Sequence, residues 1–506
     1  MLQFTRRDLL RTGMGAGLGL TLPASLHAQT DDAEPAVGRN AAAVTQILSR
    51  FVAGSRFDQL SLTAIEAAKR GIMDTLGVIL AAVPEDVSGI VGSFARDHAS
   101  RTEATVIGRR FKANADLAAY ANGTMAHALD YDNVIHVGNV WMGHPSVVIL
   151  PAVLAVAEQR NMSGRDLLLG YALGLQLYTT IGLLSGNQPY LNGWHNTSYI
   201  GTVAGAGAVA RMLGLNAQQT ERCFGIAGSS AGGLRQNFGT MTKPLHAGNA
   251  ARGAVEAAEL AGAGLTGSEH IFEGALGFRS AFIGRRSPIG DRVPLGDDLV
   301  TADAFAAGLG HPWSIADPGM AYKICPSCRS SHYGLEAGLQ FRQLKPFAVA
   351  DIAEVECHVS REMGAVLFYH APKKGLEGKF SLEYVLARTL LDGVPKTTDF
   401  TDARVNDPLV RPLMARMKWM PFDPPAKDPG FPTFVFRSSG GKEYRTRIEH
   451  LTGEPEHPVS NALLVGKFDD CASALLAPTA RRRVSDMVFG LEGMASIGPL
   501  MAALSG

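Results

Sequence analysis

The sequence predicts a mainly α-helical protein with a smaller α+β domain in its second half. Three observations carry this. Across residues 41–277, apolar side chains recur almost without break at three- and four-residue steps. Composition then shifts at residues 285–298, RRSPIGDRVPLGDD, a Pro- and Gly-marked boundary. Beyond it, Ala353, Val355, Cys357 and Val359 alternate with Glu354, Glu356 and His358, and residues 433–437 and 443–448 flank a Ser-Ser-Gly-Gly turn. Those patterns predict a half-buried strand and a hairpin. A chain of 506 residues also exceeds what one compact core holds. The expected organisation is a signal peptide at 1–28, a helical domain at 41–284, an α+β domain at 285–455, and a helical segment at 456–506 that returns to the first domain.

In chain order, residues 4–12 read FTRRDLLRT and an uncharged apolar run follows to Leu26. A basic start, an apolar stretch and a small residue, Ala28, before the cut form a signal-peptide pattern. Adjacent Arg6 and Arg7 resemble the twin-arginine type, so periplasmic location is expected. Residues 29–40 read as a leader. Helical periodicity covers 42–53, 62–82, 86–95, 114–129, 145–160 and 165–186. Ser61 and Thr63 offer caps for the second, and Ser163 with Asp166 offers a capping box for the last. Residues 167–194 carry no charge, but Gln176, Thr179, Thr180, Ser185, Asn187 and Gln188 interrupt them. A helix buried on all sides is expected there, not a membrane span. Residues 200–264 are dense in Gly and Ala, which lets helix backbones approach closely. In the second half, helices are expected at 331–344 and 381–392, and residues 421–432 are a Pro-rich loop.

Charge is balanced, 47 basic against 47 acidic residues. That gives no reason to expect nucleic acid or an anionic membrane as a general partner. Five cysteines are too few for a disulfide framework. Cys325 and Cys328 form a lone CxxC pair, short of the four ligands of a tetrahedral metal site. A small disulfide or a plain turn both fit them.

Polar residues concentrate in residues 126–146, AHALDYDNVIHVGNVWMGHPS, between two apolar segments. Such a stretch fits a capped helix end with satisfied core histidines, or an acid–base site. Asp130, Asp132, His136 and His144 are its chemical groups. Three further sets stand out: Gly193-Trp-His195-Asn-Thr197, then Lys243 and His246 within GTMTKPLHAG, then Lys323, Cys328, Arg329 and His332 within YKICPSCRSSH. Singly, each fits a structural role. Together, Lys243, Lys323, Arg329, His144 and His195 would make a cationic pocket for a small polycarboxylate. No P-loop or HExxH occurs, and Ser230 in a G-x-S-x-G match lies in a helical tract, not at a strand-to-helix elbow. His127 and Asp130 have the spacing of a metal pair, with no third ligand at matching spacing.

The ordered set AHALDYD, GHPS, GWHNT, GTMTKPLHAG, LTGSEHIFEGALGF, YKICPSC and KFSLEY resembles the MmgE/PrpD family. The resemblance implies a large helical domain with a smaller α+β lid, a homodimer, and no metal or organic cofactor. It matches Asp130, His144, His195, Lys243 and Lys323 to family motifs that line a cleft. On it, His195, Lys243, Asp130 and His144 are the expected catalytic residues, and Lys323, Arg329 and Cys328 the expected substrate-binding ones. Asn133 stands where a second adjacent Asp is frequent in the family, Val134 and Cys328 depart from the pattern of the decarboxylase members, and the gap before His144 is lengthened. The expected activity is cofactor-independent lyase chemistry on a di- or tricarboxylate, 2-methylcitrate dehydratase-like first. Cis-aconitate decarboxylase-like and iminodisuccinate epimerase-like chemistry are the alternatives. An exported polycarboxylate-binding protein and a metal hydrolase are readings of other classes. Stable membrane insertion is not expected. Changing Arg6 and Arg7 together to Lys is expected to hold the precursor in the cytoplasm, read by cell fractionation; unchanged export would remove the signal assignment.

Overall fold

The computed structural model describes residues 41–425 and 430–506. The export-signal and leader assignments for residues 1–40 lie outside the described residues. The first part is helical: α1 (Val44–Gly54), α2 (Leu62–Ala82), α3 (Asp86–His98), α4 (Ala115–Ala128), α5 (Ser146–Gln159), α6 (Gly164–Ser185), the short α7 (Gln188–Leu191), α8 (Asn196–Met212), α9 (Ala217–Ser230) and α10 (Thr242–Gly262). The periodicity placed the ends of α1 to α6 closely, and the side-chain caps at the starts of α2 and α6 are local. Ser61 accepts from the Ala64 amide, and Ser163 and Asp166 close the box at the start of α6. α6 is long and apolar enough to cross a membrane, yet it lies buried inside this protein. Its polar residues are core groups, as Gln176 illustrates by accepting from the Ser314 amide at 2.9 Å.

Short antiparallel hairpins interrupt the helices: β1 (Ala104–Val106) with β2 (Phe111–Ala113), β3 (Ile135–Val137) with β4 (Val140–Gly143), and β5 (Arg292–Leu295) with β6 (Asp298–Thr301). None was anticipated, because three or four residues are too few to establish a two-residue period. The larger sheet joins β7 (Ile352–Ser360), β8 (Met417–Phe422), β9 (Thr433–Ser438) and β10 (Glu443–Arg447) in the order β10-β9-β7-β8. β7 runs parallel to β8 and antiparallel to β9. The β9–β10 hairpin and β7 agree with the alternation read above. β8 was missed because Pro421 reads as loop; an edge strand tolerates it, since one side of the strand needs no ladder donors.

Two apolar cores result. The first gathers α1–α6, α8–α10 and the C-terminal helices Asn461–Ala472, Pro478–Phe489 and Gly498–Leu504. The second begins at Cys325 and joins the sheet to helices His332–Leu344 and Leu382–Asp392. Val293, Phe305, Trp313 and Tyr322 belong to the first core. The second core therefore starts later than the compositional boundary at 285–298. That boundary marked a surface loop and hairpin, not a change of core.

Small residues set the crossing of α4 and α10. A Cβ on Gly123 would lie 3.1 Å from the Ala247 carbonyl oxygen, and one on Gly248 would collide with Thr124 and the Tyr120 carbonyl. The backbones touch, so α4 and α10 have one fixed separation. Gly248→Val is expected to destabilise the fold by about 2 kcal/mol or more, the scale of core overpacking. Calorimetric unfolding would show this as a lower Tm.

Candidate active site

The end of α4 and the starts of α5, α8 and α10 meet at one point. His127 lies in the last turn of α4, and Asp130 follows two residues after that helix. Asp130 has φ +52°, a left-handed conformation that Asp tolerates better than most residues. His144 precedes α5, His195 is the N-cap of α8, and Lys243 lies in the first turn of α10. Lys323 arrives on the segment leading into the second core, anchored by the Tyr322 amide donating to the Gly453 carbonyl at 2.8 Å.

Asp130 is the hub. Its Oδ2 accepts from Lys243 Nζ at 2.7 Å, and its Oδ1 accepts from Lys323 Nζ at 2.6 Å. Lys323 also donates to the Asp130 main-chain carbonyl at 2.8 Å. All three residues are buried. Burial alone would raise the Asp130 carboxyl, but the Lys243 and Lys323 ammonium groups hold it well below the usual carboxylate range. A second acid, Asp132, accepts from two imidazoles. His127 Nδ1 lies 3.1 Å from Oδ1 and His144 Nδ1 lies 2.5 Å from Oδ2. With Nδ1–H committed to Asp132, His144 turns Nε2 toward the hub, 3.7 Å from Asp130 Oδ1. An acid that orients an imidazole so that its other nitrogen faces a reacting group is the arrangement general base catalysis needs.

His195 forms the second limb. It lies near parallel to His127 with ring centroids 5.7 Å apart, and its Nδ1 meets His246 Nδ1 at 3.1 Å. One of those two nitrogens must carry a proton and the other must not, so the pair sets its own tautomers. Burial, followed by His127, Lys243 and His246, holds His195 well below the ordinary imidazole range. Burial, then Lys243, lowers His246 to about 4. Burial, then Lys243, also lowers His127 to about 3.

Lys379 was not singled out as a site residue, although it opens the quoted KFSLEY motif. It is buried, and its Nζ donates to the Ala128 carbonyl at the end of α4 at 3.0 Å. Burial lowers its pKa to about 8, with Glu85 and Asp130 opposing and Lys243 and Lys323 assisting. Three ammonium groups thus surround a hub whose own negative charge two of them already share. Cys328 is half-buried within the field of Asp130, Lys323 and Lys243, and burial raises its thiol. Cys325 and Cys328 are free thiols.

Two expected contributors are placed elsewhere. Arg329 Nη2 pairs with Glu454 at 3.1 Å and Nη1 donates to the Thr452 carbonyl at 3.2 Å. Its charge is met by a carboxylate that a sequence pattern could not associate with it. His136 points into the Arg329 and Glu454 neighbourhood from the β3 strand, not into the hub. The spacing rule also missed a third metal donor for His127 and Asp130. Folding supplies it, as donor atoms of His127, Asp130, Asp132 and His144 lie within 4.8 Å of one another. Zinc accepts such donors, but both Asp130 oxygens already bind ammonium groups, and a further cation there would face two like charges.

Residues 46–289 match the MmgE/PrpD N-terminal domain and residues 325–492 the MmgE/PrpD C-terminal domain. The chain belongs to the MmgE/PrpD family. It is 29% identical to mouse cis-aconitate decarboxylase over 477 residues, covering 92% of this chain and 93% of that protein. It is 27% identical to the human enzyme over 481 residues, covering 92% and 95%. A cis-aconitate decarboxylase of Aspergillus terreus is 26% identical over 493 residues, covering 91% and 96%. These relatives support lyase chemistry for the family fold built here.

The buried neutral histidines carry a pH signature. His127, His195, His246 and His332 all have folded-state pKa values below 6.5. In the unfolded chain they take up protons near 6.5, so folding is favoured above that pH. The advantage is lost as pH falls from 6.5 toward the folded values. Each contributes a slope of up to about 1.4 kcal/mol per pH unit in that window. Calorimetry at pH 7.5 and pH 5 is expected to show a clear fall in Tm at the lower pH.

Proposed function

We propose that this protein is a lyase for a small, unsaturated or hydroxylated polycarboxylate. The observation that carries this is the convergence of Lys243, Lys323 and Lys379 around Asp130, beside neutral His144 and His195. An excess of ammonium donors in a buried site suits a multiply charged carboxylate. The starts of α5, α8 and α10 add amide dipoles of the same sign. Phe238 packs edge-on against His195 and its carbonyl accepts from Tyr369, which makes this contact a candidate point of substrate entry.

Decarboxylation of a cis-aconitate-type substrate is the first reading, on the strength of the relatives' activities. The carbon–carboxylate bond breaks, CO2 leaves, and the electron pair delocalises toward a neighbouring carboxylate held by the lysines. A multiply charged carboxylate bound beside His195 offsets the Lys243 charge and raises the proton affinity of that imidazole, so that His195 takes a proton from solvent and delivers it to carbon. Dehydration of a 2-methylcitrate-type substrate is the second reading. It needs a base to take the proton beside a carboxylate and an acid to protonate the departing hydroxide, and His144 and His195 would divide those tasks. Val134 and Cys328, which depart from the decarboxylase pattern, favour keeping it. The twin-arginine-type start belongs with this proposal and makes the substrate a periplasmic one.

NMR of the purified protein with cis-aconitate, 2-methylcitrate and iminodisuccinate tests this. CO2 release with one new vinyl product supports the first reading and loss of water the second, while no turnover of any of them removes the lyase assignment. His195→Gln and Lys243→Ala are each expected to lower kcat by about 100-fold or more with the fold intact. Because Lys379 loses its proton near pH 8, kcat/KM is expected to fall above that pH. Lys379→Met should remove that limb from the profile.

A further inference from the structure

Next to the hub a second charged pair is buried. Lys467, on the C-terminal helix Asn461–Ala472, reaches Asp74 on α2 with Nζ 2.7 Å from Oδ1. The same Nζ donates to the Tyr131 carbonyl at 2.7 Å and to the Lys323 carbonyl at 3.0 Å. An ammonium has three donors, and all three are used. It also lies 3.7 Å from the centre of the Tyr131 ring. The other Asp74 oxygen accepts from Asn133 Nδ2 at 3.1 Å, and Asn133 Oδ1 accepts from Ser146 Oγ at 2.6 Å.

Each of these contacts borders a site residue. Tyr131 follows Asp130, the Lys323 carbonyl belongs to the lysine that binds Asp130, and Ser146 lies two residues after His144. The two bonded carbonyls come from segments far apart in sequence, and both aim at one point. Two carbonyl dipoles converging in a buried space repel unless a cation lies between them. Among the described residues, neither Lys467 nor Asp74 hydrogen-bonds a hub side chain: Lys467 is used by Asp74 and the two carbonyls, and Asp74 by Lys467 and Asn133. A buried ion pair is also an expensive way to gain stability, since apolar residues of similar size often do as well.

We propose that Lys467, held by Asp74, is a positioning residue. It clamps the Tyr131 and Lys323 carbonyls and so sets the spacing of Asp130 and Lys323. The kinetic part of this inference rests on the lyase reading above; the structural part does not. The C-terminal segment thereby belongs to the working site and is more than a covering of the first core.

The test compares wild type, Lys467→Arg and the charge-free Asp74→Asn/Lys467→Met double variant. Hydrogen exchange is followed by mass spectrometry over residues 128–134 and 321–326, with 200–210 as reference. The double variant is expected to fold, with exchange at least tenfold faster in the first two segments and unchanged in the reference. Its kcat, on whichever substrate the wild type turns over, should fall at least tenfold, and Lys467→Arg should recover most of both. The proposal is overturned if the double variant keeps wild-type exchange and kcat. It is overturned equally if exchange rises everywhere together or the variant does not fold, because the pair would then serve general stability. A wild type that turns over none of the polycarboxylates would remove the lyase reading while leaving the exchange comparison to decide the clamp.

Discussion

A buried carboxylate between two ammonium groups is the constraint on which the rest of this structure depends. Asp130 and Lys243 are 113 residues apart in sequence, and Asp130 and Lys323 are 193 apart. Bringing those charges out of water is costly unless every partner arrives with good geometry. The fold meets that condition by delivering Asp130 just past one helix end and Lys243 at the start of another. Once the three are together, their field governs the neighbours. Lys243 helps keep His127, His195 and His246 neutral, and neutral imidazoles are the form that can accept a proton.

Two kinds of packing hold the hub at its dimensions. On one side, Gly123 and Gly248 let α4 and α10 meet backbone to backbone, so the distance from the end of α4 to the start of α10 has little freedom. On the other, Lys467 binds the carbonyls of Tyr131 and Lys323. The first works by close contact with no side chain between; the second works by directional charge. Asp130 itself has a left-handed backbone conformation between these two supports.

Much of the fold was legible because its signals are local. The helices α1 to α6 carry their own periodicity, and the caps Ser61, Ser163 and Asp166 act within one turn of where they stand. The alternation in β7 and the Ser-Ser-Gly-Gly turn between β9 and β10 are equally local. The hairpins β1–β2, β3–β4 and β5–β6 were not legible, since a strand of three or four residues has too short a pattern. β8 is a strand through its pairing with β7, despite Pro421. The hub residues Asp130, His144, Lys243 and Lys323 were named from their motifs, and the structure brings these four together. Arg329 was named on the same grounds and is diverted by Glu454. Lys379 stood in the KFSLEY motif but was not singled out, and Asp74 and Lys467 gave no local signal, because their roles come from carbonyls and carboxylates remote in sequence.

By itself the sequence determined the helical character, the placement of caps and turns, the small-residue tract that permits close helix contact, and the stock of basic and imidazole groups suited to carboxylates. Those properties depend on residues within a few positions of one another. Only the tertiary structure decided which charges pair, which lysine is desolvated, which imidazole nitrogen faces the hub, and which carbonyls a distant ammonium clamps. Electrostatic energy in a buried site depends on separations of a few ångströms and on exclusion of water, and neither is defined until the chain has folded.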